Sequence, residues 1–344
     1  MFSFLSKKQA TTARVNGVPI TVTPRETLLQ AALRQGIDFP HSCRVGGCAT
    51  CKCRLLEGRV KELTRTGYVL SDQDLDRGYI LACQAVPQTD IAVEVDMAGQ
   101  QARKQVTGRI VAQERLTHDI AMVRIQLDAS LDYKAGQFAN VSVARLGQLS
   151  RSYSFASPVQ PDSQLRFFVK KVPGGALSTL LNELSLVGEQ VTIDGPLGDF
   201  WLRPGSAPMI LVAGGSGLAP VLALLMDAAD KGVERAVTLL FGAQREADLY
   251  ALDEIAALAQ RWRGKFTFIP VLSAVPDGAP WPGERGMVAD RIAGVLEHGS
   301  HAYLCGPPPM VDACAATLER CGIAPEHIHA DRFTTLLEPQ RASA

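Results

Sequence analysis

The alternation of apolar and polar positions changes character twice along the chain, and each change marks a different architecture. From about Thr11 to Val95, short alternating runs surround one helical stripe. RVNGVPITV reads as a β-hairpin because Asn16-Gly17 supplies the two-residue turn. Thr27 to Gln35 carries Leu28, Leu29, Ala32 and Leu33 at helical spacing and closes at Gly36, a C-cap residue. CKCRLLEGRV then resumes as a strand turning at Gly58, Asp72 to Asp76 is a short acidic helical piece, and IAVEV alternates as a closing strand. Together they make a small α+β domain. MAGQQARK, residues 97–104, is small and polar and reads as a linker.

Beyond Gln105 the texture becomes VTGRIVAQERL, IAMVRIQL, QFANVSV, LRFFVKKV and EQVTIDGPLG, short β segments parted by Gly and Pro turns. Strands at that spacing predict a small antiparallel barrel, with one helix after Pro173-Gly174-Gly175. From Met209 the pattern alternates differently. MILVAGG, VTLLFGA, FTFIPVLS and HAYLCGP are buried strands, and LAPVLALLMDAADKG and ALDEIAALAQRW are helices, the signature of a doubly wound parallel sheet. The expected organisation is an α+β domain over 1–97, a linker over 98–104, a β-barrel over 105–204, and an α/β domain with a C-terminal tail over 205–344.

Length agrees, since 344 residues exceed what one hydrophobic core usually serves. Thirty-five basic and thirty-five acidic residues cancel, which argues against a nucleic-acid partner. No apolar run reaches the roughly 18 residues of a membrane span, and the opening MFSFLSKKQA lacks the long apolar core of a secretion signal. A cytoplasmic location is the expectation.

Four cysteines change the picture. Cys43, Cys48, Cys51 and Cys83 are separated by four, two and thirty-one residues, the spacing of a plant-type 2Fe–2S cluster. Three thiolates come from one loop, in which Gly46 and Gly47 let the backbone approach the cluster, and the fourth arrives from ILACQ. A zinc site would more naturally show two C-x2-C pairs, and only one is present. Disulfides would require an oxidising compartment. Cys53 fits the spacing nowhere and reads as a non-ligand neighbour.

Four further stretches carry candidate chemistry. In RSYSF, residues 151–155, Arg, Tyr and Ser are expected to share one face of a strand, where they would hold a phosphate and a planar ring. VPGGALST opens a helix with paired glycines, a ready anion site to which Ser178 or Thr179 adds a hydroxyl; a plain turn would look the same. AGGSGLAP follows a buried strand and starts a helix, a context suited to a pyrophosphate, although it is neither G-x-G-x-x-G nor a nucleophile elbow. Cys305 in LCGPPPM sits at the carboxyl end of a strand and reads as a small pocket wall rather than a nucleophile.

In this order the motifs resemble the flavin-dependent reductase components of multicomponent bacterial oxygenases, which carry an N-terminal plant-type ferredoxin domain. The likeness runs from about Thr11 to Phe333. FPHSC, GRVKELT, RSYSF, GLAP, CGPPPMVDA and ADRF look most like the reductases of xylene monooxygenases. The resemblance implies a β-grasp ferredoxin domain, an FAD-binding barrel and an NAD-binding α/β domain. It implies that Arg151 binds the FAD pyrophosphate, that Tyr153 lies against the isoalloxazine, and that Ser154 faces its reactive nitrogen. Gly174, Gly175 and Ser178 would hold the FAD phosphates, and Gly214, Gly215 and Gly217 the NADH pyrophosphate. Cys305 and Gly306 would lie beside the nicotinamide. Ser152, Val169, Lys170, Val172 and Pro307 complete the cofactor-contacting set, with Ser154, Cys305 and Phe333 as the catalytic positions. Phe333 looks like the C-terminal aromatic that covers the flavin, although eleven residues follow it.

Electron counting gives the implied order. NADH yields a two-electron hydride and a cluster accepts one electron at a time, so a flavin belongs between them, with electrons leaving to a membrane di-iron or Rieske-type oxygenase. A monomer is expected. Two other classes remain open: a stand-alone dehydrogenase, for which the six His form no catalytic constellation, and a non-catalytic iron–sulfur carrier, which leaves the last 240 or so residues unexplained.

Overall fold

Asn16 and Gly17 both adopt positive φ (48° and 84°), the left-handed pair that a two-residue hairpin turn requires. They join β1 (Thr11–Val15) to β2 (Val18–Val22). This computed structural model describes residues 10–41, 44, 46, 49–64, 66, 69–70, 72–95, 103–147, 149–275 and 280–333, and it divides into two units, Met1–Gln100 and Gln101–Ala344.

In the first unit the hairpin is followed by α1 (Leu28–Arg34), β3 (Lys52–Glu57), β4 (Val60–Glu62), α2 (Asp72–Asp76), β5 (Tyr79–Leu81), β6 (Ala85–Pro87) and β7 (Ile91–Glu94). The sheet runs β2-β1-β7-β3-β5, parallel at β1/β7 and antiparallel elsewhere, with β4/β6 as a separate ribbon. Helix α1 forms where expected because both ends are capped. The Thr27 hydroxyl accepts the Gln30 N–H at 3.2 Å, the Gln30 side chain accepts the Thr27 N–H at 3.0 Å, and Gly36 follows at φ 78°. Its Leu28, Leu29, Ala31 and Ala32 are buried against Val15, Ile20, Phe39 and Val93. A mixed sheet crossed by one helix is the β-grasp arrangement expected.

The second unit opens with β8 (Lys104–Arg115), β9 (Ile120–Leu127), β10 (Phe138–Val143), β11 (Ser150–Ser154), β12 (Gln164–Lys170), α3 (Ala176–Glu183) and β13 (Gln190–Leu197). The antiparallel order is β11-β10-β13-β8-β9-β12. A bridge between Phe155 and Phe167 brings the two edges together and closes the sheet into a barrel, which removes its open edges. Of the expected linker, residues 98–102 lie outside the described ones and Lys104 already begins β8.

The parallel part comprises β14 (Met209–Gly214), α4 (Leu218–Asp230), β15 (Val237–Ala243), α5 (Leu252–Arg261), β16 (Phe266–Leu272), β17 (Glu284–Arg285), α6 (Val288–Val295), β18 (His301–Gly306), α7 (Pro308–Arg320) and β19 (Ile328–Arg332). All pairs in the order β17-β16-β15-β14-β18-β19 are parallel. The chain steps outward from β14 to β17, then returns to lay β18 on the other side of β14. The order therefore reverses between β14 and β18. Barrel and sheet share one apolar cluster, in which Ile120, Met122 and Phe168 of the barrel meet Leu211, Leu222, Phe241 and Tyr303.

Replacing Thr27 by Ala removes one arm of the capping box and is expected to cost about 1 kcal/mol locally. Amide exchange along α1 should then quicken about fivefold while barrel amides stay unchanged. Unchanged α1 exchange would count against the box as what holds that end.

Candidate functional site

Two backbone turns meet where the strand order reverses. Gly214 ends β14 and Gly217 precedes α4, while Cys305 and Gly306 end β18. A Cβ on Gly217 would stand 2.3 Å from the Cys305 carbonyl oxygen, and one on Gly214 would stand 2.4 Å from the Met310 sulfur. Gly306, at φ 151°, lies with its own missing Cβ 3.0 Å from the Gly214 carbonyl oxygen. Only glycines allow this approach. Gly215 is different: at φ 54° it faces open space, with the Lys170 ammonium 3.6 Å from its missing Cβ as the nearest group. No side chain caps α4; the Leu218 N–H is taken by the Gly215 carbonyl and Pro220 has none, so an anion here would meet the glycine turn and the helix dipole rather than a row of free N–H groups. Open parallel sheets bind ligands at such a reversal, outside the carboxyl ends of the strands. The residues present fit a dinucleotide diphosphate.

Around that turn the structure gathers groups that carry no motif. The Tyr250 hydroxyl donates to the Gly215 carbonyl at 2.9 Å, and its ring packs edge-on to Phe168 and Phe241, tying the turn to β12. Arg166 of β12 pairs with Glu254 of α5 at 2.9 Å and donates to the Ala156 carbonyl. Pro307 starts α7 and its carbonyl accepts the N–H groups of Met310 and Val311.

Phe333 is half-buried against the shared cluster, and its N–H donates to the Gly306 carbonyl at 2.9 Å. Two residues earlier, Asp331 lies opposite Cys305 in the β18/β19 ladder. Burial, and then Asp331, push the Cys305 thiol well above its usual range, so it stays neutral and fits a pocket wall. Desolvation lifts the Asp331 carboxyl from 3.8 to about 6, against the opposing pull of Arg332.

The barrel strand β11 corrects one expectation. Arg151, Tyr153 and Ser154 do not share a face, because side chains alternate along a strand. Arg151 and Tyr153 lie opposite Val141 and Ala139 and point to the inner side, whereas Ser152 and Ser154 lie opposite Asn140 and Phe138 and point outward. The Ser152 hydroxyl donates to Asn140 Oδ1 at 2.8 Å, and Ser154 is buried. Tyr153 lines a small cavity inside the barrel with Leu181 of α3, Phe167 and Val169. Arg151 is exposed, anchored by a 2.8 Å bond to the Ser150 carbonyl.

The Pro-Gly-Gly loop also behaves differently from expectation. Ser178 is buried, its oxygen accepts the Val172 N–H at 3.1 Å, and its hydroxyl donates to the Gly175 carbonyl at 3.3 Å. It therefore shapes the loop, and the uncapped first turn of α3 is what can meet a phosphate. Gly174 reaches φ 72°, and a Cβ on Gly175 would collide with the Ser178 oxygen at 2.6 Å. Val169 turns its side chain into the barrel core and its carbonyl accepts Asn182 Nδ2, so it can act only as wall. A guanidinium and an aromatic ring on β11 and an uncapped start of α3 are groups of the kinds that fit a flavin nucleotide.

In the first unit Cys51 ends a 3-10 turn and Cys83 follows β5, both buried, with Gln84 Nε2 3.5 Å from the Cys83 sulfur. Cys43, Cys48 and Gly47 lie outside the described residues. Gly46 adopts φ 80°, and a Cβ there would stand 2.8 Å from the Gln84 side chain, so the loop lies this close only because the residue has none. Two buried thiols beside a tight glycine turn suit a cluster's donor set. Cys53 lies within the sheet core on β3, where burial raises its thiol strongly.

Comparison with known proteins assigns three domain families to the chain. Residues 13–88 match the 2Fe-2S iron-sulfur cluster binding domain family, residues 107–201 the oxidoreductase FAD-binding domain, and residues 211–316 the oxidoreductase NAD-binding domain. The chain is 43% identical over 323 residues to the xylene/toluene monooxygenase electron transfer component XylA of Pseudomonas putida, spanning 93% of this chain and 92% of that protein. It is 37% identical to a ferredoxin–NAD(P)+ reductase component of naphthalene 1,2-dioxygenase/salicylate 5-hydroxylase systems from Ralstonia, over 89% of this chain and 93% of that one. The crystal structure of the Amycolatopsis cytochrome P450 reductase GcoB superposes with a TM-score of 0.73 at 34% identity, covering 94% of this chain and 99% of that chain.

The raised carboxyl of Asp331 gives a signed expectation. The fold favours its neutral form, so that contribution to stability is fully present below pH 3.8 and is lost as pH rises through about 6. Asp331→Asn should therefore unfold at a higher temperature than the parent above pH 6, with the two curves converging near pH 4. Parallel curves from pH 4 to 8 would show that the carboxyl is not perturbed.

Proposed function

Because the chain belongs to the family of oxygenase reductase components with 2Fe–2S, FAD-binding and NAD-binding domains, we propose that it carries electrons from NADH by way of FAD and the cluster to a terminal oxygenase or hydroxylase acting on an aromatic compound or hydrocarbon. The observation that carries this reading is the meeting of the 214–217 and 305–306 turns at the strand reversal, against a barrel that carries groups suited to a flavin.

The chain's own residues then have defined work. Gly214, Gly215 and Gly217 with the start of α4 receive the NADH diphosphate, and Lys170 adds a cation beside them. Gly306, Pro307 and the neutral Cys305 line the nicotinamide end, with Phe333 fixed next to them by its bond to Gly306. Arg151 and the start of α3 hold the FAD phosphates, Tyr153 borders the ring on one face of β11 with Ser154 on the other face, Ser152, Val169 and Val172 complete the wall, and Ser178 keeps the Gly174-Gly175 loop in shape. Cys43, Cys48, Cys51 and Cys83 hold the cluster. When bound, the flavin supplies the conversion between a two-electron hydride and the single electrons an iron–sulfur cluster can carry.

NADH is favoured over NADPH because the segment after β15 sets Glu246 and Asp248 beside Arg245, a poor surface for a 2′-phosphate. The domain division is 1–97, linker 98–104, 105–204 and 205–344. The protein works as a cytoplasmic monomer, in keeping with the absence of a described helix long and apolar enough to cross a membrane. Its oxygenase is of the membrane di-iron or Rieske type.

Serine at Cys43, Cys48, Cys51 or Cys83 should remove iron and abolish cytochrome c reduction, while NADH-driven ferricyanide reduction persists; Cys53→Ser should keep its iron. Rapid cytochrome c reduction without the cluster would overturn the electron order. Arg151→Ala loses a guanidinium–phosphate fork and should release FAD about tenfold more readily on dilution, with iron content unchanged. Full FAD retention through extensive dialysis would remove Arg151 from the phosphate site.

A further inference from the structure

We infer that Asp119 is a positioning residue that holds Lys170 over the Gly215 turn and thereby sets the affinity for the dinucleotide. This rests on the reading that the turn takes the NADH diphosphate.

The starting point is an electrostatic oddity. Lys170 sets its ammonium beside Gly215, three residues before α4, a 13-residue helix whose dipole makes that end positive. A cation there is tolerated only with negative charge close by. Asp119 supplies it, with its carboxylate 3.3 Å from the ammonium.

Asp119 is fixed from several directions. The Thr117 hydroxyl donates to its carboxylate at 3.0 Å and accepts the N–H groups of Asp119 and Ile120. The Asp119 carbonyl accepts the Lys171 N–H at 2.7 Å. The neighbouring His118 lies 3.2 Å from Asp248 of the segment that follows β15. Lys170 by contrast is half-exposed, and its long side chain would sample solvent without the pair. An ammonium has three donors, so one on Asp119 leaves two for phosphate oxygens. The arrangement presents a preordered cation to a diphosphate lying between Lys170 and α4.

The test uses the holoenzyme and two readouts: the dissociation constant of ADP-ribose by calorimetry, and KM against kcat for NADH with ferricyanide. Asp119→Asn should raise the ADP-ribose constant and KM about five- to tenfold and move kcat less than twofold; Asp119→Glu should recover most of the loss. Added to Lys170→Met, Asp119→Asn should cost little more. Unchanged or tighter ADP-ribose binding by Asp119→Asn would overturn the proposal, since a carboxylate acting only as a like charge would oppose the ligand. Independent, multiplying effects of the two variants would overturn it as well. If Asp119→Asn cannot retain FAD, Thr117→Val carries the test, keeping the carboxylate but freeing it; about threefold weaker binding supports the inference and unchanged binding overturns it. Lys170→Met without effect on ADP-ribose would instead sink the diphosphate reading itself.

Discussion

The contact between Gly217 and the Cys305 carbonyl is the constraint on which the nucleotide half of the molecule depends. Any side chain at Gly217 would collide with backbone, and backbone cannot step aside as a flexible side chain can. Because β14 and β18 lie side by side, the approach fixes the start of α4 relative to the end of β18. It therefore fixes the distance between the places proposed for a diphosphate and for a nicotinamide. Phe333 is drawn into the same geometry through its bond to Gly306, and Asp331 through its ladder position opposite Cys305. One packing requirement thus positions groups far apart in the chain.

That geometry would be of little use if the barrel could drift. What prevents drift is a combination of unlike forces at one seam. Phe168, Ile120 and Met122 bury apolar surface against the sheet's cluster, a large but non-directional contribution. The Arg166–Glu254 pair and the Tyr250 bond to Gly215 add direction with little net energy. Hydride transfer demands that kind of placement, because its rate depends on reacting atoms held within a narrow range of separation.

Much of the architecture was legible because its determinants are local. Asn16-Gly17, the helix from Thr27 to its Gly36 cap, and the acidic Asp72–Asp76 helix each act within a few residues, and each appears where the pattern indicated; the Thr27 N-cap was not read from the sequence. β19 was not legible. IHADR is half-buried at every position, so the alternation that betrays a strand is missing, and it pairs only because β18 offers an edge. β17 is two residues long and carries no periodicity at all. At the site, glycine turns announced themselves, since a turn's chemistry is contiguous. Tyr250 and Asp119 did not. They reach Gly215 and Lys170 across 35 and 51 residues, and their meaning comes from what the fold brings beside them. Ser154 was misread for a simpler reason: it neighbours Tyr153 in sequence, and in a strand neighbours face opposite ways.

The charges around the two turns divide along chemical lines. At the diphosphate end, Lys170 and the start of α4 are positive and open, which suits a ligand that arrives with charge and leaves with charge. At the other end, Cys305 is neutral at any ordinary pH and Asp331 ionises only as pH rises through about 6. A reduced nicotinamide is neutral and becomes cationic when it gives up hydride. Below about pH 6 the Cys305 thiol and the Asp331 carboxyl are both neutral and would suit the incoming form; above it an ionised Asp331 would suit the oxidised one. Burial does for this end what open solvent and a lysine do for the other. On the proposed reading, affinity would be concentrated on the part of the dinucleotide that never changes during the reaction, with the reacting ring left beside groups whose charge depends on pH.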